Sequence, residues 1–256
     1  MGIKTFIKRH NFLYRPLLWG YKIFSLNALE PKQKVLLKYQ QEHPSVFFVQ
    51  IGSNDGKSND PLNYFIVKKK WKGVLVEPVR SVFSLLKENY AHIPSLIFEN
   101  VAISDHNGKT KFYRIKTEGA DLPQWYTQLG SFNKSVLLSH EKHIPNIQQL
   151  IIEEEVEVVT IQDLLNKHKI SRVNVLHIDT EGYDYEIIKT INFSTLRIDI
   201  LIFEHIHLSE EKYKECMSLL TNNNYVLFKF GDDTLCLTSG LKNISLYTEA
   251  LFRKMV

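Results

Sequence analysis

Val46-Phe47-Phe48-Val49-Gln50-Ile51-Gly52, continuing as Ser53-Asn54-Asp55-Gly56-Lys57-Ser58, is the stretch that decides the fold. An unbroken apolar run that stops at a glycine reads as a strand buried on both faces, as in a parallel sheet. Helix and strand signals alternate outward from it. KQKVLLKYQQE (32–42) precedes it as a helix, and Asn59-Asp60-Pro61 opens another over LNYFIVKKK (62–70). GVLVEP (73–78) is a second strand, SVFSLLKENY (81–90) a helix and SLIFENVAIS (95–104) a third strand. HNG (106–108) turns the chain into KTKFYRI (109–115). VNVLHID (173–179), IDILIFEH (198–205) and YVLFKFG (225–231) are further strands, with helices over DYEIIKTI (184–191) and EEKYKECMSLLTNN (210–223). Such alternation predicts a single α/β body, a mostly parallel sheet with helices on both faces.

The composition agrees. At 256 residues, 44% hydrophobic and 12% aromatic, the chain can bury a core, and 11 Gly and 8 Pro exclude fibrous classes. The net charge of +4 is local. Residues 1–29 hold Lys4, Lys8, Arg9, Arg15 and Lys22 and no acid, and the other 227 residues carry 27 basic and 28 acidic side chains. A body so balanced argues against nucleic-acid binding, which spreads Lys and Arg over a face. Residues 1–43 read as a basic helical segment ahead of the catalytic body at 44–256. In it Ile3, Phe6, Ile7, Tyr14, Leu17, Leu18, Tyr21 and Phe24 recur at helical spacing, with Pro16 as a break. Its apolar stretches are too short to span a bilayer. The amphipathic stripe can pack on the domain, or residues 1–29 can touch anionic lipid as a peripheral membrane contact. Cys216 and Cys236 make no disulfide framework, which suits a reducing, cytoplasmic compartment. Residues 116–155, with Trp125, Tyr126, Phe132, His140, His143 and the run Glu153-Glu154-Glu155, interrupt the rhythm and read as a substrate flap.

Ligands of parallel sheets bind beyond the carboxyl ends of the strands. Three compete for the 52–58 loop. A nicotinamide dinucleotide wants G-x-G-x-x-G, and here Ser53 and Asn54 leave only Gly52 and Gly56. A P-loop wants one residue more between its glycines than Gly52 to Gly56-Lys57-Ser58 allows, and Asp55 would face the phosphate. S-adenosylmethionine, cationic and without phosphate, tolerates Asp55. Glu77, 21 residues past Gly56, can accept both hydroxyls of a ribose.

IGSNDGKSNDP, GVLVEP, ENVAISDHNG, HIDTEGYDYEIIK and LIFEH, in that order, resemble the FkbM-type methyltransferases. The resemblance runs from about Val46 to Leu237. It implies a Rossmann-like class I methyltransferase fold, a seven-stranded mostly parallel sheet, and S-adenosylmethionine-dependent transfer of methyl to a hydroxyl oxygen of a sugar, glycan or related polyol. Gly52, Ser53, Asn54, Asp55 and Gly56 would then form the cofactor loop. Glu77 with Pro78 would take the ribose, and Asn100, Val101 and Ala102 would line the adenine. Asp179, Glu181 and Gly182 match the acid-x-acid-Gly segment. Gln50 stands where many members carry an acid, which leaves the holding of the methionine amine open.

Methyl transfer to an alcohol needs an aligned nucleophile and a proton acceptor. Asp179, Glu181, Glu204, His205 and His207 stand at strand ends as catalytic candidates, and Asp179 counts among the cofactor ligands as well. Asp179 and Glu204 could converge to bind the hydroxyl, act as base or hold a divalent cation, and no dedicated metal-ligand set is assigned. His205 or His207 is a base suited to neutral pH. A hydroxyl-bearing small molecule or glycan is the expected acceptor, with Trp125 and Tyr126 as a stacking surface for a sugar ring. A P-loop-like nucleotide enzyme and a non-catalytic binder on the same fold are the alternatives.

Overall fold

The structure is a computed structural model that describes residues 29–117 and 122–253. The basic amphipathic segment and its lipid contact lie outside the described residues, apart from the stretch that begins at residue 29. No helix among the described residues is long and apolar enough to cross a membrane.

Helix α1 (Pro31–Glu42) starts at a proline and a capping box of Glu30 with Gln33. It leads into β1 (Phe47–Ile51), followed by α2 (Asn63–Lys69), β2 (Lys72–Val76), α3 (Arg80–Asn89) and β3 (Leu96–Glu99). The chain then leaves this sheet. It returns with β8 (Arg172–Ile178), α7 (Asp184–Ile188), β9 (Arg197–Glu204), α8 (Glu210–Asn222), β10 (Tyr225–Phe230), β11 (Asp233–Thr238) and α9 (Lys242–Arg253). The sheet has seven strands in the order β10-β11-β9-β8-β1-β2-β3. It is parallel from β3 to β9, and β11 runs antiparallel to both its neighbours. The expected α/β architecture with a mostly parallel seven-stranded sheet is what forms.

Successive residues of β1 serve opposite faces, and both faces are apolar. Phe48 packs with Leu36, Leu62, Phe65, Leu75 and Val175, under α1 and α2. Val49 and Ile51 pack with Leu164, Ile187, Ile188 and Leu220, under helices of the other layer. Fully burying each such side chain contributes about 1.5–3 kcal/mol. This two-sided burial is why the strand reads as a continuous apolar run and not as an alternation.

The composition of the sheet differs from expectation in three places. SLIFENVAIS is two strands, because the chain bends at Asn100: β3 stays in the main sheet and β4 (Ala102–Ser104) enters a second one. KTKFYRI, as β5 (Gly108–Ile115), also belongs to that second sheet, whose order is β4-β7-β5-β6, with β6 Gly130–Ser131 and β7 Ile151–Thr160. The seventh strand of the main sheet is instead β11. The acidic run that was read as the end of the insertion is part of β7. Glu153, Glu154 and Glu155 pair with Lys111, Arg114 and Lys109 across the β5–β7 ladder. The excursion between the two sheet-forming segments thus ends at Leu150. It holds a 3-10 turn (Gln124–Gln128), β6, α4 (Lys134–Ser139), a second 3-10 turn (His140–Lys142) and α5 (Ile147–Leu150). Helix α6 (Ile161–Lys167) carries the chain back to β8.

Candidate active site

Strand order reverses between β1 and β8, because the chain builds outward from β1 to β3 and then restarts on the other flank. Ligands of such sheets bind in the crevice at this switch. A cavity of about 270 Å³ opens there. Its walls bring together Gln50, Gly52, Ser53, Asn54, Glu77, Pro78, Val101, Ala102, Asp179, Glu181 and Glu204, all expected in a site from the sequence.

The loop after β1 is fixed by its own hydrogen bonds. The N–H groups of Gly52 and Ser53 both donate to Val76 O, and that of Gly56 donates to Ser53 O. Asn54 N donates to Glu77 Oε2 at 3.0 Å, and Asp55 N to Asn54 Oδ1 at 2.7 Å. Lys57 N and Ser58 N share Asp55 Oδ1. Every N–H from 52 to 58 therefore has a partner inside the protein. A P-loop needs those same groups turned toward a phosphate. Asp55 acts as the internal staple of the loop and does not line the cavity, while the side chain of Lys57 points outward and is exposed. Gly56 is backed by Tyr90 and also stands behind the wall.

Glu77 ends β2 with its carboxylate buried. Its Oε1 accepts from Val79 N and its Oε2 from Asn54 N, so each oxygen keeps acceptor capacity toward the cavity. Burial pushes this carboxyl up to about 7, against those two N–H groups. Asn100 braces the turn from behind by donating to the carbonyls of Glu77 and Pro78. It holds the Glu77 wall without facing the cavity, whereas Val101 and Ala102 do face it.

Asp179 and Glu204 end adjacent strands, and with Glu181 their oxygens lie within 4.8 Å of one another. Asp179 lines the cavity and is exposed to it. Its carboxyl is pushed well above the ordinary range by its enclosed position, then by Glu181, Asp184 and Asp233. Glu204 is raised by burial and by the same crowd of carboxylates. Glu181 stands in the left-handed backbone region at φ +51°, and its carbonyl accepts from Ser131 Oγ at 2.7 Å. A residue of β6 therefore holds the strained turn of the acidic segment in place. His207 Nε2 is 3.0 Å from Glu181 and 3.6 Å from Glu204, and the ion pair with Glu181 raises the imidazole above its usual range.

Other placements depart from the sequence reading. His205 turns away from the cavity. Its Nδ1 lies 3.1 Å from Thr234 Oγ1, and its ring stacks on Tyr213 at 4.9 Å between centroids. Tyr126 is buried in the small core of the insertion with Leu129, Leu137 and Ile144, and Trp125 packs edge-on against it. The aromatic walls of the cavity are Phe112 and Phe132 instead, joined by Thr127 and Gln128.

Asp60 and His177 also line the cavity and were not anticipated. Asp60 does not cap α2, whose N-cap is Leu62; it closes the turn ahead of the helix by accepting from Leu62 N at 2.8 Å, and it also accepts from Gln50 Nε2 at 3.0 Å. Burial lifts Asp60 to about 6. An acid thus stands beside Gln50, where the resemblance led one to expect an acid at position 50 itself. His177 occupies the strand position beside Gln50, inside a buried run that gave no polar signal. Among the described residues, Oε1 of Gln50 and Nδ1 of His177 have no hydrogen-bond partner.

No curated protein matches the chain. Among solved structures, the fold is similar to methyltransferase FkbM from Methylobacillus flagellatus KT, at 14% identity and a TM-score of 0.46. That likeness covers 76% of this chain and 44% of the other, so this chain spans less than half the length of that protein. It is also similar to a precorrin-6y C5,15-methyltransferase from Geobacter metallireducens GS-15 (9% identity, TM-score 0.37, 76% of this chain and 82% of that one). A fibrillarin pre-rRNA processing protein of Methanococcus jannaschii gives 8% identity and a TM-score of 0.38, over 76% and 67% of the two chains. The methyltransferase FkbM domain, as a family model, matches residues 50–227, from the last two residues of β1 to the first three of β10, and so takes in the cavity and its acidic cluster. The chain belongs to the FkbM methyltransferase family.

Proposed function

We propose that this protein is an S-adenosylmethionine-dependent O-methyltransferase whose acceptor is a hydroxyl of a sugar, glycan or related polyol. One observation carries the reading: the acceptor-type carboxylates Asp179 and Glu204 open into the same cavity as the Glu77 and Gln50 wall. The residues present fit the cofactor. Glu77 has free acceptor capacity for ribose hydroxyls, and Val101, Ala102 and Ile103 give an apolar wall for adenine. Gln50 Oε1, buried without a partner, and Asp60 beside it suit an ammonium group. When bound, S-adenosylmethionine supplies a methyl group already activated by its sulfonium.

The chain's own part is to position the acceptor and take its proton. Phe112 and Phe132, packed edge to face with ring centroids 5.4 Å apart, form an apolar wall, and Thr127 and Gln128 place polar groups beside it, a pairing that suits the two characters of a sugar ring. Asp179, the member of the acidic cluster most open to the cavity, accepts the hydroxyl proton. Incubating the protein with cofactor and a panel of sugars, polyols and glycan pools tests the proposal. A mass gain of one methylene on an acid-stable ether supports it. Methyl found on nitrogen or carbon, or binding of ATP without binding of S-adenosylhomocysteine, overturns it.

Glu77 provides a second check. Hydroxyl donors favour its ionised form, so ligand binding expels the proton that burial retains. Affinity for S-adenosylhomocysteine is expected to fall as pH drops through 7, by up to about tenfold per unit, and to level off above it. Calorimetric titrations on either side of neutrality measure this. Glu77→Gln should bind weakly throughout, with the pH dependence reduced to what Asp60 contributes.

A further inference from the structure

We infer that His140, Glu181 and His207 form a binding site for one divalent first-row transition-metal ion, with Glu204 beside it. Their ligand atoms all lie within 4.8 Å of one another. Three separate segments deliver them: His140 the insertion, Glu181 the loop after β8, and His207 the loop after β9. The rings of His140 and His207 are 5.8 Å apart between centroids, with Glu181 3.0 Å from Nε2 of His207.

What distinguishes this group from a cluster of acids is its donor set and its unmet bonding. Two imidazoles with one carboxylate match divalent iron, manganese, cobalt or zinc. Magnesium and calcium take oxygen ligands almost exclusively. Among the described residues, His140 Nε2 and Glu204 Oε2 are buried atoms with no hydrogen-bond partner, and Glu181 Oε2 has the ion pair with His207 Nε2 at 3.0 Å. Buried polar atoms in native structures are nearly always satisfied, so two orphans on either side of that pair indicate a missing common partner. A divalent cation satisfies both and offsets the crowding of Asp179, Glu181 and Glu204. Glu181 and Glu204 also line the cavity, so an ion held by this group would border it. The role of the ion, to hold the acceptor oxygen, rests on the methyltransferase reading. The site itself does not.

The full chain, stripped of metal with a chelator, should bind Co2+ with visible d–d absorption that saturates at one ion per chain. His140→Asn and His207→Asn should each weaken binding at least tenfold, while the exposed neighbour variant His143→Ala binds as the wild type does. Circular dichroism confirms that each variant is folded. Excess Mg2+ should not displace the signal. Absent bands, bands unaltered in both histidine variants, or displacement by Mg2+ would overturn the inference. S-adenosylhomocysteine titration of the same preparation separates the two readings. Loss of that binding alone sinks the methyltransferase assignment, and loss of Co2+ binding alone sinks the ion site.

Discussion

Asp179→Asn is expected to lower methyl transfer about a hundred- to a thousand-fold, the range for loss of a positioned proton acceptor. Affinity for S-adenosylhomocysteine should stay nearly unchanged. The substitution keeps the shape and one oxygen of the side chain and removes its capacity to take a proton. The backbone of residue 179 is held independently, by its N–H to Ile51 O at 2.9 Å, so the loop has no reason to move. S-adenosylhomocysteine is a neutral thioether and gains little from a carboxylate nearby. S-adenosylmethionine is a cation and gains more, so its KM should rise while the product's affinity holds. Removing one of three crowded acids also relieves Glu204, so thermal stability should hold or rise. Initial rates, product titration and a melting curve on one preparation measure all three. An unaltered turnover would exclude Asp179 as the proton acceptor; lost product binding would make Asp179 a positioning residue instead.

The β1–β2 side of this cleft was legible in the sequence because its residues sit on local signals. Gly52, Ser53 and Asn54 directly follow a buried strand and Glu77 follows the next one, which sets them side by side in the cavity wall at the ends of β1 and β2. The side built by the second sheet was less legible, because long-range pairing forms it. The strand β7 carries four glutamates in ten residues, a composition depleted in strands, and it is stable where Lys109, Lys111 and Arg114 lie across the ladder. That partnership is invisible until β5 and β7 meet. Phe112 and Phe132 read as ordinary apolar residues, and only the second sheet turns them toward the cavity. His205 failed for the opposite reason. It shares a strand end with Glu204, and alternation along an extended chain sends neighbours to opposite sides. Its ring is therefore packed against Tyr213 when Glu204 reaches the cavity.

Gly52→Ala is expected to be the most disruptive small substitution in the cleft, destabilising the protein by about 3 kcal/mol. Two effects add. Residue 52 has φ +78°, where an L side chain is strained, and a Cβ there would fall 1.7 Å from the Asp179 carbonyl oxygen. Backbone cannot yield as a side-chain tip can, because Asp179 N is itself bonded to Ile51 O and Gly52 N to Val76 O. Relief requires β1 and β8 to separate at the switch point, where the loop after β1 meets the acidic segment. Stability and S-adenosylhomocysteine binding should therefore fail together, which sets this variant apart from Asp179→Asn. Gly240→Ala, with open space around it, is the control and should leave both unchanged. Denaturant unfolding and calorimetry at a temperature where the variant remains folded separate the two losses. If Gly52→Ala binds product normally once folded, the close approach of β1 and β8 serves stability alone and the loop is not the cofactor's seat. If binding stays lost in the folded variant, the contact between residue 52 and the Asp179 carbonyl sets the spacing between the ligand loop and the proton acceptor.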